Sequence, residues 1–328
     1  MKQRDLSVDY AKGIAILFVY LGHSVLYYPI DLASMYSWCH VLERMIASFN
    51  LPMFFLISGL LFGFSRKPWR EVAVDKFKRL FIPYLFTMFC VIVSKMMLPS
   101  SMAYNDNQGA GILYNVFVEG GDRWFVYVLM WIFAIALPLR RIVKTSWFWF
   151  VVAVPVLLSM SHLLPSVFLL DLTMKYIPFF LLGMYMSQYF QKLKDYLRGY
   201  VLYCLVFFVV LNIIFVTRLS RVPVIWDILL PLVGTVFFMG IAVLMEDRCI
   251  SKSENTFFRF ISYSGKYSLQ FYLFSFAYPV IRLVVVSILQ IHHPFAIVAL
   301  VFFGQLIAIM VIIEITRRIR FLRIPMGY

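Results

Sequence analysis

Apolar residues run along this chain in long blocks, separated by short polar and basic connectors. The first block, "DYAKGIAILFVYLGHSVLYYPI" (residues 9–30), is apolar enough for lipid, yet it carries Lys12 near its start and His23 well inside it. A membrane-crossing helix needs about 20 mostly apolar residues. On that measure the pattern predicts ten spans, over 8–29, 45–64, 80–98, 123–139, 147–163, 170–189, 199–216, 226–245, 265–289 and 295–315. The fourth and fifth are short and punctuated by proline. The first block lacks a small-residue cleavage motif, so it reads as a retained helix and not as a removed signal peptide.

Composition agrees with that pattern. Of 328 residues 62% are hydrophobic and 14% charged, and the mean hydropathy is +0.86, well beyond a soluble domain. The formal charge of +14 would suggest a nucleic-acid partner on a soluble protein. Here the cations sit in short blocks between apolar runs, as they do in cytoplasmic loops, and nucleic acid is not expected. With the N-terminus inside, 23 of the 30 Lys and Arg fall in cytoplasmic segments. Seven (Arg44, Lys95, Arg123, Lys175, Arg218, Arg221, Arg282) fall outside or within spans. The expected fold is therefore an all-α polytopic bundle of about ten transmembrane helices, both termini cytoplasmic, in a single domain over 1–328. The longest outer connection, 99–122, is polar and glycine-containing, a length that often carries function.

Common chemistries are absent. Cys39, Cys90, Cys204 and Cys249 are scattered and form no zinc motif or disulfide framework. His23, His40, His162, His292 and His293 share no i, i+4 helical face, so no metal is expected. The chain has no P-loop, no G-x-S-x-G and no dinucleotide fingerprint.

Five stretches carry candidate chemistry. Lys12 and His23 are eleven positions apart, on one helical face and about 16 Å apart along the axis. Gly22 and Ser24 beside His23 would admit another helix or a ligand. Such an intramembrane His serves either a neighbouring helix or a reaction. "FNLPMFFLISGLLF" (49–62) holds Pro52 and Gly59, which loosen a helix or let helices pack closely, with Asn50 and Ser58 as polar groups. "SRKPWREVAVDKFKRLFIPYLF" (65–86) carries Arg66, Lys67, Arg70, Lys76, Lys78 and Arg79, which satisfy positive-inside topology and also suit a phosphate-bearing anion. Lys76 and Arg79, at i and i+3, can share a face. "GGDRWFVYVL" (120–129) offers Asp122, Arg123 and Trp124, as an interfacial anchor or a sugar platform. "SYSGKYSLQFYLFSFAYP" (262–279) is rich in hydroxyl and amide groups, with Lys266 at its start and Arg282 just beyond it, deep in the span.

Taken in order, these stretches resemble the integral-membrane acyltransferase-3 family, and within it the fucose 4-O-acetylase-like proteins. The opening block is similar to a family pattern in which an Arg precedes a His by eleven positions; here Lys12 and His23 match it. "LPMFFLISGLLF" resembles the second-helix signature and "KFKRLFIPYLF" the basic motif leading into Pro83-Tyr84. "RWFVYVL", "YIPFFLLGMY" and "SGKYSLQFYLF" resemble later blocks in the same order, so the resemblance spans most of the chain. Lys12 stands for the usual Arg, and Lys76 for the first Arg of an R-x-x-R; lysine keeps the charge but loses the bidentate fork. A His that often follows the late Tyr-Leu-Leu stretch is absent, with Phe274-Ser275 in that region.

The resemblance implies transfer of an acetyl or other acyl group from cytoplasmic acetyl-CoA to a sugar hydroxyl. The acceptor would be a cell-surface glycan or its lipid-linked precursor at the bacterial inner membrane. His23 would act as general base or carry the acyl group covalently, with Lys12 on the donor side of the same face. Lys76, Lys78 and Arg79 would hold the CoA phosphates. Arg44, Asp122, Arg123, Trp124 and Arg282 are the expected acceptor contacts. The alternative from another class is a glycan or lipid transporter whose His23 and Arg282 line a path. The acceptor sugar, the acyl donor and the oligomeric state are left open.

Overall fold

The computed structural model describes residues 5–26, 31–97, 110–142, 147–160, 163–217, 225–251, 255–275 and 277–328. Every element among them is helical, as required of backbone facing lipid, where each N–H and C=O must be satisfied within the segment. The helices are α1 (Leu6–Val25), α2 (Leu32–Met35), α3 (Ser37–Phe64), α4 (Trp69–Lys76), α5 (Ile82–Met97), α6 (Ala110–Phe117), α7 (Trp124–Leu139) and α8 (Phe148–Met160). They continue as α9 (Leu170–Met186), α10 (Phe190–Thr217), α11 (Leu230–Ser251), α12 (Thr256–Lys266), α13 (Ser268–Leu273), α14 (Ala277–Leu283) and α15 (Pro294–Thr316).

Each of the ten predicted segments falls on helix. Five continuous stretches are by themselves long and apolar enough to cross a membrane: Ser37–Phe64, Gly111–Leu139, Val167–Phe215, Trp226–Ile250 and Pro294–Thr316. The sixth and seventh predicted spans merge into one helical stretch of 49 residues. The ninth, 265–289, is broken. Tyr267 and Phe274 leave helical dihedrals at the ends of α13, and the last part, Val284–Ile288, is a π-helix. Pro52 does not open α3, which runs through it for 28 residues. Of the predicted outer connection, 99–109 lies outside the described residues, as do Arg218, Arg221 and His162.

The chain divides into two compact units. The first comprises Met1–Ser58 and Met186–Ile309, and α1 is its central strut. Asp5 caps α1 by accepting from Val8 N, satisfying an otherwise orphaned helix N–H. The other oxygen of Asp5 takes Lys194 Nζ at 2.6 Å, and Lys194 also donates to Glu246 at 2.7 Å, so α1, α10 and α11 meet at a buried ion triad. One turn on, α1 crosses α12 at backbone contact. A Cβ on Gly13 would lie 2.1 Å from the Ile261 carbonyl oxygen, and one on Gly265 would lie 1.8 Å from that of Asp9. Lipid gives helices no hydrophobic drive to associate, so small residues that let backbones touch take that role. Further along, Phe18, Phe49, Phe208 and Phe238 stack on one another. The C-terminal end of α1 is sealed by Val25, Leu32, Ala33 and Cys39 against Val285, Val286, Ile297, Val298 and Val301.

The second unit comprises Gly59–Tyr185 and Met310–Tyr328. Gly59 again marks a close approach, 1.9 Å from its built Cβ to the Phe180 carbonyl. Phe62, Phe133 and Phe180 pack edge to face beside it. Arg140 ties the end of α7 to the turn before α4, donating to the Lys67 carbonyl at 2.8 Å. Tyr84 and Tyr127 reach the last carbonyls of α6, at Val116 and Phe117. Those carbonyls have no intrahelical partner.

Candidate functional site

In the first unit the predicted pair lies as expected on one helix. Lys12 pairs with Asp9 at 3.0 Å within the first half of α1. His23 occupies the last turn. Around this second half of α1 the polar side chains of neighbouring helices are directed at backbone groups. Asn50, in the orientation that satisfies both its ends, donates to the Ala15 carbonyl at 3.0 Å and accepts from Val19 N at 3.2 Å. Gln305 of α15 donates to the Tyr20 carbonyl at 2.8 Å, and the Tyr20 hydroxyl donates to the Phe271 carbonyl at 2.7 Å. Phe271 belongs to α13, immediately before the break in the ninth span.

Two residues complete this end. Tyr278 lies parallel to the His23 ring, with centroids 4.9 Å apart and planes 9° apart. Arg282, one turn further along α14, is fully buried and donates through Nη1 to the Leu26 carbonyl, just past the end of α1. A cation there also opposes the negative end of the helix dipole. Arg282 and His23 are thus brought to one end of one helix, which the sequence alone had not linked. Gly22, expected to admit a neighbour, stands at ordinary distance from Ile46; the close approach is at Gly13. Arg44 sits on α3 in the same unit, with Nε 3.5 Å from His40 Nε2 and its guanidinium over Phe215.

In the second unit, Lys76 ends α4, and Lys78 and Arg79 lie on the π-helical turn Phe77–Phe81. The wider turn changes the expected shared face. Lys76 turns inward, its ammonium 4.1 Å from the Phe133 ring centroid, while Lys78 and Arg79 stay exposed. Burial, reinforced by Arg79 nearby, pushes the Lys76 ammonium down to about 8. The neighbouring Asp75 carboxylate is engaged by Lys67, whose hydrogen bond holds its pKa below the usual value. That carboxylate therefore does little to neutralise the turn. A cluster of three cations beside an engaged acid suits a ligand bearing phosphates.

Also in the second unit, Gly120 and Gly121 take left-handed dihedrals, at φ 70° and 50°. They turn the chain into a short 3-10 segment, Gly121–Arg123. Arg123 is buried and donates through Nη1 to the Asp122 carbonyl at 2.9 Å. Trp124 starts α7 with its ring 6.4 Å from Tyr176. The ten predicted residues are thus split: Lys12, His23, Arg44 and Arg282 in one unit; Lys76, Lys78, Arg79, Asp122, Arg123 and Trp124 in the other. Sequence reasoning passed over Tyr278, although it lies inside the hydroxyl-rich stretch already singled out. It also passed over Gln305 and the Asp5–Lys194–Glu246 triad, which nothing local marks.

Apolar helices that enclose a histidine, an arginine and hydrogen-bonding amides define a membrane protein with a polar site in its helical interior. The chain belongs to the acyltransferase-3 family: the family model, described as an acyltransferase domain, matches residues 5–315. It is therefore a multi-pass membrane protein of that family. It is similar to the nodulation protein NolL of Mesorhizobium japonicum, 28% identical over 195 residues that cover 56% of this chain and 48% of that protein. A second match, to the nodulation protein NolL of Sinorhizobium fredii, is 29% identical over 132 residues, 39% of this chain and 34% of the relative. The matched region spans about half or less of the length of these curated relatives. No solved structure matches the chain.

Proposed function

We propose that this protein is a membrane O-acyltransferase that moves an acetyl group from cytoplasmic acetyl-CoA to a sugar hydroxyl of a glycan or lipid-linked glycan. In this reading the chain crosses the bacterial inner membrane about ten times, with both termini in the cytoplasm. The observation that carries it is His23, an imidazole held within the helical interior of a chain of this family.

A sugar hydroxyl is a weak nucleophile at neutral pH. His23 takes its proton as the oxygen attacks the thioester carbonyl; the C–S bond then breaks, and the CoA thiolate leaves and is protonated. In the covalent variant the imidazole nitrogen takes the acetyl group first and passes it to the hydroxyl. Lys76, Lys78 and Arg79 hold the CoA phosphates, and Lys12 lies on the donor side of α1. Arg44, Asp122, Arg123 and Trp124 serve the acceptor. Arg123 does so by fixing its turn, since it is buried. Arg282, also buried, serves by holding the end of α1.

The test uses the full chain in nanodiscs with acetyl-labelled acetyl-CoA and an extracted glycolipid fraction, comparing wild type with His23→Ala. Release of CoA and transfer of label by the wild type, both lost in the folded variant, are the expected results. Turnover that survives His23→Ala removes His23 from the chemistry. No turnover with several donors and acceptors removes the enzyme reading.

A further inference from the structure

We infer that Tyr278 is a positioning residue for His23, its ring stacked on the imidazole so that the ring plane is fixed while both nitrogens stay open at the edge. The inference rests on the proposed role of His23. A histidine side chain turns broadly about its terminal torsion, and His23 lies on the last turn of α1, with Leu26 already extended just beyond. A base must nevertheless hold one nitrogen within hydrogen-bond reach of the proton it takes. A hydrogen-bonding neighbour would fix the ring by consuming a nitrogen. A parallel aromatic ring fixes the plane from its face, and the nitrogen lone pairs lie in the plane. The observed separation of 4.9 Å and tilt of 9° are that arrangement.

The stack would be worthless on a loose element, and α14 is not loose. Its Arg282, four residues after Tyr278, is bonded to the Leu26 carbonyl at the same end of α1. Ile281 on α14 touches α15 at Gly304, where a Cβ would lie 3.0 Å from the Ile281 side chain. Pro279 fixes its own φ next to the ring. Because the helix breaks before Ala277, the placement of Tyr278 is set by these contacts with α1 and α15 and not by a continuous rod from α13.

The experiment compares wild type, Tyr278→Phe, Tyr278→Leu and Tyr278→Met as full chains in nanodiscs, each checked for folding by thermal unfolding. Two quantities are read: kcat and KM for acetyl-CoA, and the rate at which diethyl pyrocarbonate modifies His23, followed by peptide mass spectrometry. Tyr278→Phe keeps the stack and is expected to match wild type within twofold on both. The Leu and Met variants are expected to lose about tenfold or more in kcat at unchanged KM, and their His23 is expected to react at least threefold faster. An unchanged modification rate in both folded variants overturns the inference. So does a Phe variant that loses as much kcat as Leu, since the hydroxyl would then be the active part. If the wild type shows no turnover while His23 modification still rises on losing the ring, the stack stands and the acyltransferase reading falls.

Discussion

The crossing of α1 and α12 offers a sharp test of how the proposed site is held. Replacing Gly265 by Ala puts a methyl carbon 1.8 Å from the Asp9 carbonyl oxygen and 2.9 Å from Gly13 N, where ordinary contact begins at 3.4 Å. The obstacle is backbone on both sides, so no rotamer change relieves it. The helices must part by about 1.5 Å, and the cost belongs to the upper part of the overpacking range, about 3 kcal/mol. Gly13→Ala meets the Ile261 carbonyl at 2.1 Å and forces the same separation. Once the helices have parted, the second methyl finds room already made. The double variant should therefore fall short of the sum of the singles by at least about 1 kcal/mol. The measurement is unfolding by SDS titration in mixed micelles on the full chain, for wild type, both singles and the double. Turnover should fall about 100-fold in each single, because Lys12 and Asp9 move with this part of α1. A Gly265→Ala protein that unfolds with wild-type stability, or a double that equals the sum, refutes the reasoning.

Three further outcomes are expected. Lys194→Met leaves the Asp5 and Glu246 carboxylates without their shared cation and should cost about 3 kcal/mol in the same titration; adding Glu246→Leu should restore part of it. Lys76, brought down to about 8, is charged below that pH and neutral above it, so KM for acetyl-CoA should rise between pH 7 and 9. Lys76→Arg should flatten that rise, and parallel wild-type and variant curves would remove Lys76 from donor binding. Tyr20→Phe deletes the hydrogen bond to the Phe271 carbonyl and should cost about 1 kcal/mol by SDS titration, with α13 showing the larger gain in hydrogen exchange.

Much of the helix pattern was legible because runs of apolar residues are a one-dimensional signal. Each predicted segment lies on helix, and the Lys12–His23 spacing follows from helix geometry alone. What failed depended on partners far away in sequence. Pro52 looked like a break, but α3 continues through it, and Asn50 nearby serves the backbone of α1. The stretch 265–289 looked like one span, yet it breaks where the Tyr20 hydroxyl takes the Phe271 carbonyl. Gly13 is one glycine among 15, and only the distant Gly265 shows why it must be small. Lys194 counted as a loop cation, whereas it is buried between two acids drawn from either end of the first unit. Periodicity reports which face of a helix is apolar; it does not report which backbone group a buried amide or guanidinium will find.

The manner in which α1 is held bears on the choice between an enzyme and a carrier. A carrier built for alternating access moves one group of helices against another around a binding site, so the helix bearing its polar residues needs an interface that can slip. Here α1 is fixed at successive levels. Its N-terminus sits in the Asp5–Lys194–Glu246 triad, Gly13 is in backbone contact with α12, and Asn50 bridges Ala15 and Val19. Gln305 holds the Tyr20 carbonyl and Arg282 that of Leu26. Backbone-to-backbone contact at glycines is the least tolerant of sliding, since a shift of one residue puts a side chain into a carbonyl. Buried amide and guanidinium bonds add to this, because breaking one in an apolar interior leaves a polar group unsatisfied. A helix anchored so often is suited to presenting one group at a constant place. That is what a general base requires and what a moving transport path does not, and on this ground His23 is better read as a reacting group than as part of a permeation route.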